Sequence, residues 1–219
     1  MSREIELKVP LSEEQYTSIE HIILGKAQGA TPIRFHTRAR VIKSDEYFSL
    51  YRTHEERIAH KELKVIRIRT ERTHSLEPSG IDMYGDDSDT GGKSYFCIKH
   101  KTLENGVEFN SEHETFVENP DVLRTFFAAT GFTKWFEKQK NALSCFCSLA
   151  GSDFEAHLEV ERVNGLPYVE IEYTRDDVPP ETVRPQLCQI LRALGVDETK
   201  RDHRSWAEIL ENGKVKTEK

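Results

Sequence analysis

No stretch of this 219-residue chain approaches the ~20 consecutive apolar residues that span a bilayer. The opening MSREIELKVP holds no apolar core of the kind a secretory leader needs. A cytoplasmic protein without a membrane partner is therefore expected. Cysteine is scarce, with four residues (Cys97, Cys145, Cys147, Cys188) whose spacing makes neither a disulfide framework nor a C-x-x-C pair. Reduced thiols in a cytosolic-type compartment follow from that. Positive charge is in deficit: 31 Lys and Arg against 38 Asp and Glu give a net charge of −7. That balance argues against generic coating of nucleic acid, and no double-stranded nucleic-acid partner is expected, although a basic patch is compatible with it. Apolar residues are also short at 37%, while charged residues reach 32%, above the roughly 25% of ordinary domains.

What is present is strong patterning from end to end, so the chain is expected to fold. No internal repeat or linker interrupts it. One α+β domain over residues 1–212 with a polar tail at 213–219 is expected. Ile5, Leu7 and Val9 alternate with Glu4, Glu6 and Lys8, a strand period. Residues 11–25 read as a helix, with Ser12 as N-cap, Ile19, Ile22 and Ile23 as its apolar stripe and Gly25 as its stop. Residues 33–52 predict two strands or a long hairpin, and 63–71 one strand. Residues 94–102 and 106–117 form a strand pair around Asn105-Gly106, and 154–163 with 167–174 another around Asn164-Gly165. Helices are predicted at 120–131, between Pro120 and Gly131, at 179–195, and over a last short segment anchored by Trp206, Ile209 and Leu210. One or two strands are expected in 133–149. Residues 75–93, rich in glycine and aspartate, read as a solvated loop.

The informative feature is what alternates with the apolar residues. Residues i and i+2 of a strand share a face. The pairs Glu4/Glu6 (followed by Lys8), Arg67/Arg69, Lys99/Lys101, Glu112/Glu114, Lys138/Lys140, Glu159/Glu161 and Glu170/Glu172 therefore place mostly one sign of charge on one face of each strand. For any one pair, a solvated sheet face is the plainer explanation. Across seven segments a closed barrel of about eight strands, charged inside and apolar outside beneath flanking helices, explains more. A cavity lined by unpaired like charges is costly. It becomes tolerable when it holds water, divalent cations bound by carboxylates and a polyanion bound by Lys and Arg.

The run Glu4-Ile5-Glu6-Leu7-Lys8 matches E-x-E-x-K and resembles the N-terminal signature of the CYTH superfamily, the triphosphate tunnel metalloenzymes. Similar features follow in family order. They are Ile66-Arg67-Ile68-Arg69, Phe96-Cys97-Ile98-Lys99-His100-Lys101, Glu112 with Glu114, Gly131-Phe132 ahead of Lys138-Gln139-Lys140, and His157–Leu166. Tyr168-Val169-Glu170-Ile171-Glu172 and Arg204–Leu210 complete a resemblance spanning about residues 3–210. Departures are a Glu in place of the family's metal-binding Asp, with Glu159 and Glu161 both eligible, Pro167 in place of a Gly, and Lys140 in place of an Arg.

The resemblance implies an α+β fold built on a closed antiparallel eight-stranded tunnel with flanking helices, and action on triphosphates with Mg²⁺ or Mn²⁺. It implies metal ligation by Glu4, Glu6, Glu170, Glu172 and Glu159 or Glu161. It implies phosphate binding by Arg67, Arg69, Lys99, Lys101, Lys138 and Lys140. Lys8 would stabilise charge at the transferred phosphoryl group, with Glu6 and Glu170 beside it in catalysis and Glu112 and Glu114 as further tunnel acids. The leading expectation is hydrolysis of a terminal phosphate from tripolyphosphate, a nucleoside or thiamine triphosphate, or an RNA 5′ end, by a monomer or homodimer. A class IV-type adenylyl cyclase and a non-catalytic polyphosphate-binding module are the alternatives. Phosphoryl transfer by positioning and charge needs no histidine base. His100, His113 and His157 are thus assigned structural or surface places, opposite in parity to the charges or at the edge of the pattern. Arg38 and Arg40 either line the tunnel or lie on a surface hairpin, and Cys145 and Cys147 lack partners for zinc.

Overall fold

The computed structural model describes residues 2–27, 31–62, 64–76, 92–104, 107–175 and 177–214, without the side chains of 2–4, 101–104, 107–110, 180 and 212–214. The expectations for the 75–93 loop, its aspartates and the Asn105-Gly106 turn thus fall largely outside the described residues.

Eight strands carry the fold: β1 (Ser2–Pro10), β2 (Ile33–Ser49), β3 (Lys64–Ser75), β4 (Lys93–Glu104), β5 (Val107–Phe116), β6 (Thr133–Leu149), β7 (Glu155–Val163) and β8 (Leu166–Tyr173). They are antiparallel throughout and close on themselves in the order β1-β5-β4-β3-β2-β6-β7-β8, with β8 returning to β1. Closure leaves no edge strand exposed for pairing. Five helices join them: α1 (Glu13–Ile23), α2 (His54–Ala59), α3 (Pro120–Ala129), α4 (Pro180–Ala193) and α5 (Trp206–Lys214). No helix among the described residues is long and apolar enough to cross a membrane.

Local chemistry sets the ends. Ser12 caps α1 in a reciprocal box with Gln15, the Ser12 Oγ accepting from the Gln15 backbone at 3.1 Å. Gly131, at φ +86°, follows α3 in the left-handed region that an L side chain adopts only with strain. The two strands or hairpin expected over 33–52 are instead one 17-residue strand, β2. The break in its alternation near Thr37 is no turn. It is a bulge: Thr37 has φ +47° and the β2–β6 register shifts between His36 and Ala39. Helix α2 was not foreseen.

The dry core lies outside the barrel wall. Ile5, Leu7, Leu158, Val160, Val169 and Ile171 point outward and pack against Ile19 and Ile23 of α1 and Val183, Leu187, Ile190 and Leu191 of α4. Each such side chain contributes about 1.5–3 kcal/mol by leaving water. A smaller aromatic cluster, Phe48, Ile68 and Phe127, seats α3 on the opposite flank, with the Phe48 and Phe127 rings 4.7 Å apart. With the apolar residues facing out, period-two alternation sends the charged set inward.

Candidate active site

The barrel encloses a cavity of about 640 Å³ lined by side chains from all eight strands, α2 and the start of α5. Register brings the charges together. Lys8 lies opposite Glu170 and Glu6 opposite Glu172 across β1 and β8. Asp45 lies opposite both Arg69 and Lys138, and Glu159 opposite Glu170.

One pole gathers basic residues around the Asp45 carboxylate. Arg69 donates from Nε and Nη2 to the two oxygens of Asp45, at 2.7 and 3.1 Å. Lys138 Nζ is 3.5 Å and Arg67 Nη1 3.8 Å from the same group. Burial alone would raise the Asp45 carboxyl; Arg69, Arg67 and Lys138 outweigh it and hold it well below the usual range. Lys138 is itself pulled down to about 8, first by burial, with Lys140 and Arg69 adding repulsion against the attraction of Asp45. Arg67 also donates to Glu112 Oε1 at 2.9 Å and lies 3.5 Å from Glu114. Lys99 Nζ sits 3.5 Å from Glu112 and 4.0 Å from Glu6.

The other pole is acidic. Carboxylate oxygens of Glu159, Glu161 and Glu170 lie within 4.8 Å of one another. Lys140 Nζ stands among them, 2.8 Å from Glu159 Oε2, 2.7 Å from Glu170 Oε2 and in contact with Glu161. Lys43 donates to the second oxygen of Glu159 at 2.7 Å. Three carboxylates thus meet two ammonium groups. Glu161, with no exposed surface, bears the shortfall: burial, then Glu170 and Glu159, push its carboxyl well above the usual value against the pull of Lys140. Its Oε1 makes no hydrogen bond among the described residues. Glu172 accepts from or shares a proton with His157 Nδ1 at 2.7 Å, and His157 Nε2 is 2.8 Å from Ser144 Oγ.

Oxygen-only donors, converging and short of positive charge, suit a hard divalent cation. Glu159 lines the cavity, whereas Glu161 lies sealed behind it. A second acidic group, Cys97, Glu112 and Glu114, is already compensated by Arg67. There burial pushes the Cys97 thiol up to about 12, so it stays protonated and donates to Glu112 at 2.8 Å.

At one mouth the chain's C-terminal region closes in. Arg204 O accepts from Lys8 Nζ at 2.6 Å, and Trp206 Nε1 donates to Glu170 Oε1 at 3.0 Å. Ser205 and Glu208 form a reciprocal cap that fixes the start of α5 and hence Trp206.

Glu6, Lys8, Arg67, Arg69, Lys99, Glu112, Glu114, Lys138, Lys140, Glu159, Glu170 and Glu172 all line the one cavity. The backbones of Glu4 and Lys101 lie in β1 and β4, but their side chains are outside the described set. Arg38 and Arg40 are on the outer surface, where Arg38 donates to Ile23 O and Arg40 to Glu20 of α1. Cys145 and Cys147 are buried in the outer core. His157, assigned a structural or surface place at the edge of the charge pattern, shares the parity of Glu159 and is bonded to Glu172. The sequence reading missed Lys43, Asp45, His54, Arg57 and Trp135, and gave Trp206 only a packing place. The Lys43-Asp45-Tyr47 alternation was the available signal.

No family model matches the chain, and no curated protein matches it. Solved structures do. A Pyrococcus horikoshii protein superposes with a TM-score of 0.65 at 21% identity, covering 96% of this chain and 99% of its own. A Hippeastrum protein, described as an adenylyl cyclase candidate with a dominant triphosphatase activity, gives 0.61 at 16%, covering 97% and 96%. A Vibrio parahaemolyticus adenylate cyclase candidate gives 0.58 at 16%, covering 95% and 97%. The chain has the CYTH-type tunnel fold, a closed antiparallel barrel with flanking helices. The charged cavity lies inside that barrel.

Proposed function

We propose that the chain is a divalent-metal-dependent triphosphatase that removes the terminal phosphate of a triphosphate held in the tunnel. The observation that supports this best is one cavity in which Arg67, Arg69 and Lys138 gather at one end and the carboxylates of Glu159 and Glu170 converge at the other. Glu6, Glu159, Glu170 and Glu172, with Glu4, would hold Mg²⁺ or Mn²⁺. When bound, such an ion supplies charge neutralisation and a water of lowered pKa. Arg67, Arg69, Lys99, Lys138 and Lys140, with Lys101, bind and orient the phosphate oxygens. Lys8, opposite Glu170, would stabilise charge at the transferred phosphoryl group. The half-enclosed tunnel strengthens these interactions by limiting water.

The cyclase reading shares every one of these residues and differs in which oxygen attacks. Product analysis separates the two, using purified protein with Mg²⁺ or Mn²⁺ and either tripolyphosphate or ATP. Orthophosphate, lost in Glu6→Ala, is the expected product. Cyclic AMP with pyrophosphate would replace the triphosphatase by the cyclase, and binding without turnover would leave a polyphosphate-binding module.

A further inference from the structure

Every carboxylate oxygen of Glu159 and Glu170 accepts a hydrogen bond from a side chain. Lys43 Nζ donates to Glu159 Oε1 at 2.7 Å, and Trp206 Nε1 donates to Glu170 Oε1 at 3.0 Å. The two remaining oxygens, both Oε2, share one donor. It is Lys140 Nζ, 2.8 Å from Glu159 and 2.7 Å from Glu170. The same ammonium touches Glu161, and these three carboxylates are the set whose oxygens converge within 4.8 Å. Lys140 thus stands at the focus of the donor set that suits a divalent cation. A hard cation takes its oxygens at about 2.0–2.6 Å, and two positive centres on the same pair of oxygens repel strongly. Among these donors, only the departure of Lys140 frees an oxygen on both glutamates at once. Departure of Lys43 frees one oxygen on Glu159 alone, and Lys43 has Glu71 at 3.9 Å as a second partner.

Lys140 is 4% exposed, so an ammonium that leaves Glu159 and Glu170 needs another partner nearby. It lines the same cavity as Arg67, Arg69 and Lys138, and it shares a face of β6 with Lys138. A compact ammonium on a flexible four-carbon stem turns along that wall more readily than a planar guanidinium. Phosphate oxygens held by Arg67, Arg69 and Lys138 would receive it. We infer that Lys140 is a resident counter-ion of the metal site, competing with the divalent cation for Glu159 and Glu170 and turning to the phosphates when the cation takes its place. The inference deepens the triphosphatase reading and rests on it. Through this one side chain, metal and triphosphate each favour the other's binding.

Calorimetric titration of Mn²⁺ into wild type, Lys140→Met and Lys43→Met reads the competition without turnover. Each substitution removes one positive charge beside Glu159, so charge relief alone would give equal gains. Competition gives an affinity about tenfold or more tighter in Lys140→Met, and one within about threefold of wild type in Lys43→Met. The bis-methylene analogue of tripolyphosphate reads the turn toward phosphate. With EDTA present, Lys140→Met is expected to bind it within about twofold of wild type, and with saturating Mg²⁺ about tenfold more weakly than wild type. Equal Mn²⁺ gains in the two variants, no gain in Lys140→Met, or the same loss of analogue affinity with and without Mg²⁺ overturns the inference. Should Lys140→Met not fold, reductive methylation of wild type, read by peptide mass spectrometry, takes its place. Labelling of Lys140 is expected to rise about threefold or more on adding Mg²⁺, and unchanged labelling overturns the inference. A protein that meets these expectations yet releases no orthophosphate from tripolyphosphate or ATP keeps the counter-ion and loses the triphosphatase reading.

Discussion

Asp45 and Glu161 are equally hidden, with 1% and 0% of their surfaces exposed, and both face the inside of the same barrel wall. Their carboxyls nevertheless move in opposite directions, Asp45 down and Glu161 up. Burial acts the same way on both, so the difference is in the neighbours. Asp45 sits between strands that present Arg67, Arg69 and Lys138. Glu161 sits with Glu159 and Glu170 around one shared ammonium, that of Lys140. The basic pole crowds Arg69, Lys138 and Arg67, the last shared with Glu112, around one buried carboxylate, and that crowding of cations suits phosphate. The acidic pole has carboxylates left over after Lys140 and Lys43 are counted, and that surplus suits a divalent cation. One wall thus provides the two half-sites that the proposed metal–triphosphate complex would use.

The contrast is open to breaking. Glu170→Gln removes a tunnel carboxylate that touches Lys140 and Trp206, and it is expected to lower kcat about 10³-fold in a phosphate-release assay. Asp45→Asn leaves three cations without their common counter-charge, and is expected to cost about 3 kcal/mol in denaturant unfolding at neutral pH. The Asp45 contribution is present above the ordinary aspartate value of 3.8 and is lost as pH falls through the depressed folded value. The gap between variant and wild type should therefore narrow in acid. Glu161→Gln should do the reverse. A carboxyl raised on folding destabilises increasingly as pH rises above its ordinary value of 4.5. The metal-free variant should thus gain about 1 kcal/mol over wild type at pH 8 and match it near pH 4. Equal signs for the two substitutions would remove the distinction between the poles. Arg40→Ala gives the smallest effect, within about 0.5 kcal/mol, because its bond to Glu20 lies on the solvated outer face.

That last case marks what a sequence can and cannot show. Arg38/Arg40 and Arg67/Arg69 have the same spacing, and only the barrel's closure puts one pair outside and the other inside. Seven like-charged pairs in strands were legible as a charged interior because alternation is a backbone property. The E-x-E-x-K start added the family resemblance, and with it the tunnel. Asp45 was not legible, since a lone acid between Lys43 and Tyr47 forms no repeated pair and gains its partners only across β3 and β6. His157 stands at the edge of the charge pattern for a related reason: its parity matches Glu159, but an imidazole does not extend a run of like charges. Trp135 could not be found by periodicity at all, because a bulge breaks the period that would locate it. The long β2, read as two strands or a hairpin, likewise carries a bulge near Thr37 that interrupts its alternation.

The division into poles is tested most directly by calorimetric titration of Mn²⁺ into wild type, Glu159→Gln and Asp45→Asn. The account predicts binding to wild type, an affinity at least tenfold weaker in Glu159→Gln, and an affinity within about threefold of wild type in Asp45→Asn once folding is verified. Mn²⁺ that binds equally well to Glu159→Gln, or that is lost only in Asp45→Asn, would contradict it.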